Sequence, residues 1–145
     1  MIAAVESGDA NISLSSLDKL ATAMGVDFVE LVRDPSRETR AEINEVTWRG
    51  SQPASAAMLL CSAPASRETQ MWLWTLGPGD SYVAEPDPEG WHEMLFVVEG
   101  ALRLIQSGEA QDYATGEFVT YSTAQHYSYC NVGKKIVRFI RNVVS

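Results

Sequence analysis

Acidic side chains and a histidine are concentrated in one stretch of the sequence, EPDPEGWHEMLFVVEG, from Glu85 to Gly100. Its first nine residues include Asp87, Glu89, His92 and Glu93. Carboxylate oxygens and imidazole nitrogens are ligands that divalent cations take in proteins, and they also hydrogen-bond polar ligands. The stretch therefore predicts a metal or ligand site, and the competing interpretation is the solvated end of a β-hairpin.

Alternation along the strand that follows separates two of these side chains. Neighbouring residues of a β-strand face opposite sides of the sheet. If Glu93 points into a core or a cavity, His92 therefore points to the outside. A buried charge without a partner is costly, so we expect Glu93 to meet another polar group, a metal or a ligand.

The composition bounds the class of protein. The 145-residue chain is 46% apolar, enough for one domain with a small appendage, and its net charge of −8 disfavours general binding to nucleic acid. No apolar run reaches the roughly 20 residues of a membrane helix, and no basic signal region is present, so a cytoplasmic location is expected. Cys61 and Cys130 lie apart, which favours buried thiols over a disulfide or redox pair.

Two regions with different hydrophobic periods must position these residues. Residues 1–34 have helical periodicity, with Ser13 as an N-cap, Gly25 as a C-terminal stop and a capping box at Asp27 and Glu30. Residues 35–45 are polar and are predicted to be a linker. From residue 46 to residue 145 the period becomes two, in short apolar runs separated by turns such as GPGD, SGEA and TGE. This pattern predicts a mainly β, antiparallel barrel or sandwich that follows a short helical region.

The helical region resembles a DNA-binding family. The stretch IAAVESGDANISLSSLDKLATAMGVDFVELV is similar to the second half of an XRE-type helix-turn-helix domain. In that family the recognition helix ends in Glu-x-Gly, here Glu6-Ser7-Gly8, a Ser-Leu opens the next helix, and a Gly-Val, here in ATAMGV, precedes the last one. The match leaves the first two helices of the domain, and the start of the recognition helix, upstream of Met1.

The β region resembles a small cupin barrel. GPGD…EGWHEMLFVVEG is similar to the first cupin motif, and TGEFVTYSTAQHYSYCNVG to the second. XRE domains fused to one C-terminal cupin form a group of bacterial transcription regulators. The resemblance implies that the cupin senses a small-molecule effector and that the helical domain binds an operator.

DNA binding by this chain itself is not expected. Residues 1–34 contain six acidic residues and two basic ones. A recognition helix needs an intact partner helix and contacts to bases or phosphates. Operator DNA is therefore expected as a partner only of a longer product.

The cupin resemblance also implies positions for the site. The first cupin motif usually supplies His-x-His and a Glu, and the second supplies one more His. Here Asp87 and Glu89 stand at the two histidine positions, Glu93 keeps the Glu and His126 keeps the last His. Some regulators of this group have only His-x-x-Gly in the first motif. That version also places Asp87 at the His, with Gly90 at the Gly, and it leaves Glu89 without an assigned role. Glu93 and His126 are expected to face one cavity with Asp87 at its mouth, where they either hold one divalent metal ion or form a metal-free ligand pocket.

Aromatic and basic residues of the strands leave alternatives open. Trp72, Trp74, Tyr82, Tyr121, Tyr127 and Tyr129 either line a ligand pocket or pack in the core and at interfaces. Trp72 and Trp74 share one strand face, so both are expected to line the pocket or neither. Three arginines also lie in predicted strands; either one of them pairs with Glu93 or with an anionic ligand, or they form a solvated outer face: Arg103, Arg138 and Arg141.

The sequence favours the ligand-sensing domain of a transcription regulator, without catalysis. The alternative is a small metal-dependent cupin enzyme of the isomerase or dioxygenase type. A homodimer is expected, because several strands are apolar on both faces and because Leu14, Leu17 and Leu20 are expected to be exposed on the helical region.

Overall fold

The computed structural model of the chain describes residues 12–34 and 43–145. The Met1–Glu6 piece, the Glu6-Ser7-Gly8 motif and residues 35–42 of the expected linker lie outside the described residues. Ile43, at the end of that linker, is buried in the core. The domain boundaries at residues 34 and 46 stay predictions.

Two helices open the described part of the chain. Helix α1 (Leu14–Met24) begins at the N-cap Ser13, whose Oγ accepts a hydrogen bond from the Ser16 amide at 3.2 Å, and ends at Gly25 with φ 71°. A positive φ of this size favours glycine, because a Cβ would clash with the backbone. Helix α2 (Phe28–Val32) begins with the predicted capping box of Asp27 and Glu30. Neither is long and apolar enough to cross a membrane, and the same holds for every helix of the described residues.

Ten strands follow, and they form two antiparallel sheets. In chain order they are β1 (Glu45–Arg49), β2 (Ala56–Pro64), β3 (Glu68–Leu76), β4 (Ser81–Ala84), β5 (His92–Glu99), β6 (Ala101–Gln106), β7 (Glu109–Ala114), β8 (Phe118–Ser122), β9 (Tyr127–Cys130) and β10 (Val137–Val144). The larger sheet has the order β1-β2-β3-β10-β5-β8, and the smaller one β4-β9-β6-β7. The mainly β, antiparallel class expected from the period-two pattern is confirmed, but the strands do not close into a barrel.

Two of these strands were not expected from the sequence. Strand β4 is only four residues long, too short to show an apolar period of its own. Strand β7 is polar and largely exposed, so its sequence lacks an apolar period. The Ser107-Gly108 turn holds it beside β6, with φ 47° and 89° at these two residues. Positive φ at both central residues is typical of the tight hairpin turn that suits twisted strands.

The helices pack against the open end of the two sheets. Leu14, Leu17, Phe28 and Val29 belong to the same buried cluster as the inward side chains of the strands. The Phe28 and Trp72 rings lie 5.7 Å apart between centroids. The expectation that Leu14 and Leu17 are exposed is therefore wrong, because they pack in the cluster that the strands and helix α2 form together. Leu20 is half-buried.

Candidate functional site

Glu93 lies at the centre of a buried polar cluster between the sheets. It is on β5, beside Val143 of β10 and Tyr121 of β8, and its side chain is 1% exposed. Three tyrosine hydroxyls donate to its carboxylate: Tyr121 to Oε2 at 2.5 Å, Tyr127 to Oε1 at 3.0 Å, and Tyr129 to Oε2. Hydrogen bonds of this kind stabilise a buried carboxylate and offset part of the cost of removing it from water.

Arg141 supplies the opposite charge. It is on β10, two residues from the neighbour of Glu93, and its Nη1 lies 3.6 Å from Glu93 Oε1. Its guanidinium also lies over the rings of Trp72 and Trp74, at 4.6 and 5.1 Å from their centroids. Burial acts to lower the pKa of Arg141, but Glu93 and the nearby tyrosines outweigh it and raise this pKa, so the guanidinium remains charged. Of the three arginines considered from the sequence, Arg141 is thus the one that pairs with Glu93.

The other two arginines lie on the outside. Arg103 donates to Asp112 from Nε at 2.7 Å and from Nη2 at 2.9 Å, on a partly exposed face. Arg138 lies 3.4 Å from Glu99, and both side chains are about half exposed. Both are surface pairs and neither faces the buried cluster.

A cavity of about 50 Å³ lies between this cluster and the helices; we call it the helix-covered cavity. Its sheet side includes Trp72, Tyr82, Glu93, Tyr127 and Arg141, and its mouth includes Asp87 and Trp91. Its helical side is formed by Leu14, Ser15, Asp18 and Phe28. The two sheets and the two helices therefore build one site together.

Two carboxyl groups near the mouth have raised pKa values. Burial raises the pKa of Asp87 to about 6, the nearby Thr123 hydroxyl acts to lower it, and the nearby Glu93 raises it further. Burial also raises the pKa of Asp18 on α1, and Arg67 only partly opposes this. Within the described part of the chain, neither carboxylate has an ion-pair partner within 4.0 Å.

The structure places the sequence-predicted polar residues in different environments. Glu93 is buried and faces the cavity, Asp87 lies at its mouth, and His92 is exposed with Nδ1 3.0 Å from the Gly90 carbonyl oxygen, all as expected. Glu89 is exposed and does not line the cavity. The ligand-binding roles of these residues stay predictions.

His126 is the main correction. It is exposed in the turn before β9, where its carbonyl oxygen accepts from the Ser107 amide, and it does not line the cavity. The reason is alternation: Tyr127 and Tyr129 face inward and donate to Glu93, so the residue before Tyr127 faces outward. The expected Glu93–His126 pair is replaced by the Glu93–Tyr127 pair.

The aromatic residues divide between the cavity wall and the core, and the strand face on which each one lies does not predict this division. Trp72 and Trp74 are both buried on the inner face of β3, yet Trp72 lines the cavity and Trp74 does not. Trp74 packs deeper, with its ring 4.8 Å from that of Tyr82 and 5.2 Å from that of Tyr129. Burial raises the pKa of Tyr82 to about 12, so this cavity residue stays a neutral phenol.

Sequence reasoning also missed several cavity residues: Leu14, Asp18, Phe28, Gln70 and Trp91. Gln70 belongs to a chain of hydrogen bonds, since it donates to Glu68 at 2.8 Å and accepts from Trp72 Nε1 at 3.0 Å. The two inward positions of β3 at Gln70 and Trp72 could have been found from alternation. No sequence signal could show that the helices contact the sheets.

The donor set does not fit the divalent metal that the cupin resemblance implies. No group of three His, Cys, Asp or Glu side chains that could hold a metal forms within residues 12–34 and 43–145. Glu93 already accepts from three hydroxyls, and the cation beside it is Arg141. A second cation at that carboxylate would be repelled by a buried guanidinium.

Cys61 and Cys130 are free and half-buried, so they form no disulfide. Strand β2 carries Cys61, in the larger sheet, and β9 carries Cys130, in the smaller one. The two cysteines are thus not paired with each other, but their thiols are half-buried rather than buried as expected.

Comparisons with known proteins agree with this architecture. The Cupin_2 family model, described as a cupin domain, matches residues 72–143. The HTH-type transcriptional regulator SutR of Escherichia coli (strain K12) is 24% identical over 142 residues, which is 96% of this chain and 75% of that protein. Both comparisons agree with the resemblance seen in the sequence.

Solved structures of similar regulators share the fold. An HTH_3 family transcriptional regulator from Vibrio cholerae aligns with 100% of this chain and 79% of its own, at 17% identity and a TM-score of 0.65. The Cupin_2 domain of an XRE family transcriptional regulator from Enterobacter cloacae aligns with 53% of this chain and 81% of its own, at 21% identity and a TM-score of 0.52. The chain thus contains a cupin domain over residues 72–143, and it is similar to the XRE-type helix-turn-helix transcriptional regulators.

Proposed function

We propose that the chain is the sensing part of a transcription regulator and that it binds a small molecule in the helix-covered cavity. One observation carries this proposal: the cavity wall is shared between the sheets, through Trp72, Glu93 and Arg141, and the helices, through Leu14 and Phe28. A molecule that enters this space contacts both parts of the chain.

The size of the cavity makes occupancy and helix position depend on each other. About 50 Å³ is space for on the order of four water molecules, whereas drug-sized ligands occupy cavities of roughly 300–1,000 Å³. A larger ligand therefore has to displace a wall. The sheet wall is fixed by continuous ladders of backbone hydrogen bonds, while the helices contact it through side chains such as Phe28. The helices are the wall that moves at lower cost.

Coupling of this kind is reciprocal. If a ligand favours one position of α1 and α2, that position also favours the ligand. Helices α1 and α2 correspond to the second half of the helix-turn-helix resemblance, so their movement would transmit occupancy to a DNA-binding domain. The expectation that the 145-residue chain does not bind an operator by itself stays a prediction.

The alternative of a metal-dependent cupin enzyme finds less support in the geometry. The buried carboxylate already accepts from three tyrosine hydroxyls and pairs with Arg141, and His126, the expected second ligand, faces solvent. A general base needs a free lone pair within reach of a substrate proton, and Glu93 has few left. We therefore propose a binding role without catalysis.

The homodimer remains part of the proposal, with a revised surface. The outer face of the larger sheet exposes Met94 and Phe96 on β5 and Phe118 on β8, and Phe96 and Phe118 are direct cross-strand neighbours. Exposed apolar patches of adjacent large side chains are typical of subunit interfaces. A second copy of this chain is the proposed partner of this face.

A cavity-filling substitution tests the coupling. Ala84 is buried and lines the cavity opposite the helices, so Ala84→Leu should push them outward and speed hydrogen exchange of the amides of residues 14–32 relative to β6. Ala101→Leu, at an exposed position of β6, is the matched control and should leave that exchange unchanged. A folded Ala84→Leu protein with unaltered exchange at residues 14–32 would contradict the proposal.

Sensing itself is tested by thermal-shift titration with L-alanine, glucose, adenine and citrate, which represent amino acids, sugars, nucleobases and organic acids. At least one of them is expected to raise the Tm of the chain and to lose this effect in Ala84→Leu. If none raises the Tm, or if the effect persists in Ala84→Leu, the cavity is not the sensing site.

A further inference from the structure

Arg141 has hydrogen-bonding capacity that the described residues do not use. Its side chain is almost fully buried, yet none of its nitrogens donates a hydrogen bond to another described residue, and its Nε has no partner. Its contact with Glu93 is an ion pair at 3.6 Å, longer than a hydrogen bond. The surface Arg103, by contrast, donates twice to one carboxylate at 2.7 and 2.9 Å.

Glu93 cannot readily accept hydrogen bonds from the N–H groups of Arg141. Its two oxygens already accept from Tyr121, Tyr127 and Tyr129. Buried donors without acceptors are costly, and Arg141 lines the cavity. An acceptor that enters the cavity would therefore satisfy N–H groups that the fold leaves open. A carboxylate matches the planar fork of a guanidinium best.

The mouth of the same cavity favours a positively charged group, whereas Arg141 favours a carboxylate. Asp87 and Asp18 approach it from the loop before β5 and from α1, and both are partly buried. Neither has an ion-pair partner within 4.0 Å in the part of the chain that the structure describes. Arg67 acts on Asp18 from a distance, but its guanidinium lies over the Trp91 ring at 5.6 Å. A cationic group at the mouth would compensate the two carboxylates.

One ligand can meet both requirements. We propose that the helix-covered cavity binds a small zwitterion of the α-amino acid class, with its carboxylate on Arg141 and its ammonium group facing Asp87 and Asp18. This inference rests on the proposed sensing function and names the class of its ligand.

Simpler ligands satisfy only half of the site. An anion would add negative charge beside Asp87, Asp18 and Glu93, and a cation would leave the donors of Arg141 unused. The volume, on the order of four waters, favours an amino acid with a short side chain, because a longer side chain would have to displace the helices further. Leu14, Ala84 and Val143 supply apolar walls that suit a methyl group.

Isothermal titration with three matched probes tests the proposal on the full chain. The probes are L-alanine, propionate, which lacks the ammonium group, and ethylamine, which lacks the carboxylate. Each lost charged contact is worth about tenfold in affinity or more, so alanine should bind at least about tenfold more tightly than either fragment. Equal binding of propionate or of ethylamine, or no binding of alanine, would overturn the proposal.

Asp87→Asn provides a variant that does not disturb the buried cluster. It should weaken the binding of alanine by about tenfold, because the contact with the ammonium group is lost. The affinity for propionate should stay unchanged or increase, because propionate has no ammonium group. Asp112→Asn, on the surface, is the control and should change neither. An unchanged alanine affinity in Asp87→Asn would contradict the assignment of the ammonium group.

The two proposals fail in different ways. If alanine does not bind but glucose, adenine or citrate does, and Ala84→Leu blocks that binding, the zwitterion site is wrong and sensing stands. If alanine binds as described but does not change hydrogen exchange at residues 14–32, the zwitterion site stands and sensing is wrong.

Discussion

Glu93 and Arg141 form an ion pair that is almost fully buried, with 3.6 Å between Oε1 and Nη1 and exposures of 1% and 4%. They reach each other because β5 and β10 are neighbours and both residues face inward. Charges buried this deeply are kept only when each has compensation. The pair is therefore the electrostatic centre of both the fold and the proposed site.

Breaking this pair should be much more costly than breaking a surface pair. Glu93→Gln leaves a buried guanidinium without a counter-charge, and we expect a loss of about 3–5 kcal/mol in the free energy of unfolding, measured by urea denaturation. Asp112→Asn, which breaks the exposed pair with Arg103, should cost less than about 1 kcal/mol. Similar losses in the free energy of unfolding in the two variants would contradict a larger contribution of the Glu93–Arg141 pair to stability.

The tyrosine hydroxyls should contribute separately from the tyrosine rings. Tyr121→Phe keeps the ring but removes a donor to the Glu93 carboxylate, and we expect a loss of roughly 1.5–3 kcal/mol, as for hydrogen bonds to charged groups.

Tyr113→Phe is the matched control for that substitution. Tyr113 is buried in the core cluster, but it has no hydroxyl hydrogen bond to another described residue. Its substitution should change the free energy of unfolding by less than about 0.5 kcal/mol. Equal effects at positions 113 and 121 would contradict a role for the Tyr121 hydroxyl.

Asp87 should make stability fall as the pH rises. Burial raises its pKa to about 6 from an ordinary value of 3.8. The folded state therefore binds more protons than the unfolded state between these two pH values, and stability is highest below pH 3.8 and is lost as the pH passes about 6. Because the side chain is partly solvated, we discount the effect to about 1–2 kcal/mol.

Comparison with Asp87→Asn isolates this effect from the other carboxylates. The variant should gain about 1–2 kcal/mol over the natural chain between pH 4 and pH 7, as measured by urea denaturation across that range. Glu89→Gln, in the same loop and exposed, should show no such trend. A difference between Asp87→Asn and the natural chain that does not vary with pH would disprove the shifted pKa.

Phe96 should hold the proposed dimer together. Phe96 and Phe118 are 46% and 73% exposed on neighbouring strands of the larger sheet. Sedimentation velocity at micromolar concentration should show a dimer for the natural chain and a monomer for Phe96→Glu, because a charge in the interface is desolvated without a partner.

Val83→Glu is the control for the interface. Val83 is 71% exposed on the smaller sheet, away from Phe96, and its substitution should leave the dimer intact. A natural chain that sediments as a monomer would rule out the proposed interface, and a dimer that persists in Phe96→Glu would place the interface elsewhere.

Local patterns of the sequence determined the features that depend on neighbouring residues. The Ser13 cap, the Gly25 stop and the capping box at Asp27 were predicted, because each depends on hydrogen bonds within one turn. Alternation predicted that Glu93 faces inward while His92 faces outward, since these residues are adjacent on one strand. Arg141 was one of three candidates for a partner of Glu93, and the sequence could not choose among them.

Only the tertiary structure decided how separate segments meet. Alternation relates neighbours on one strand, but it does not say which face of β9 turns toward β5, and a shift of one residue exchanges His126 for Tyr127. The depth of Trp74 relative to Trp72, and the closure of the cavity by Leu14 and Phe28, also depend on contacts between residues far apart in the chain. Such contacts arise from the joint packing of the sheets and the helices, which no local period of the sequence records.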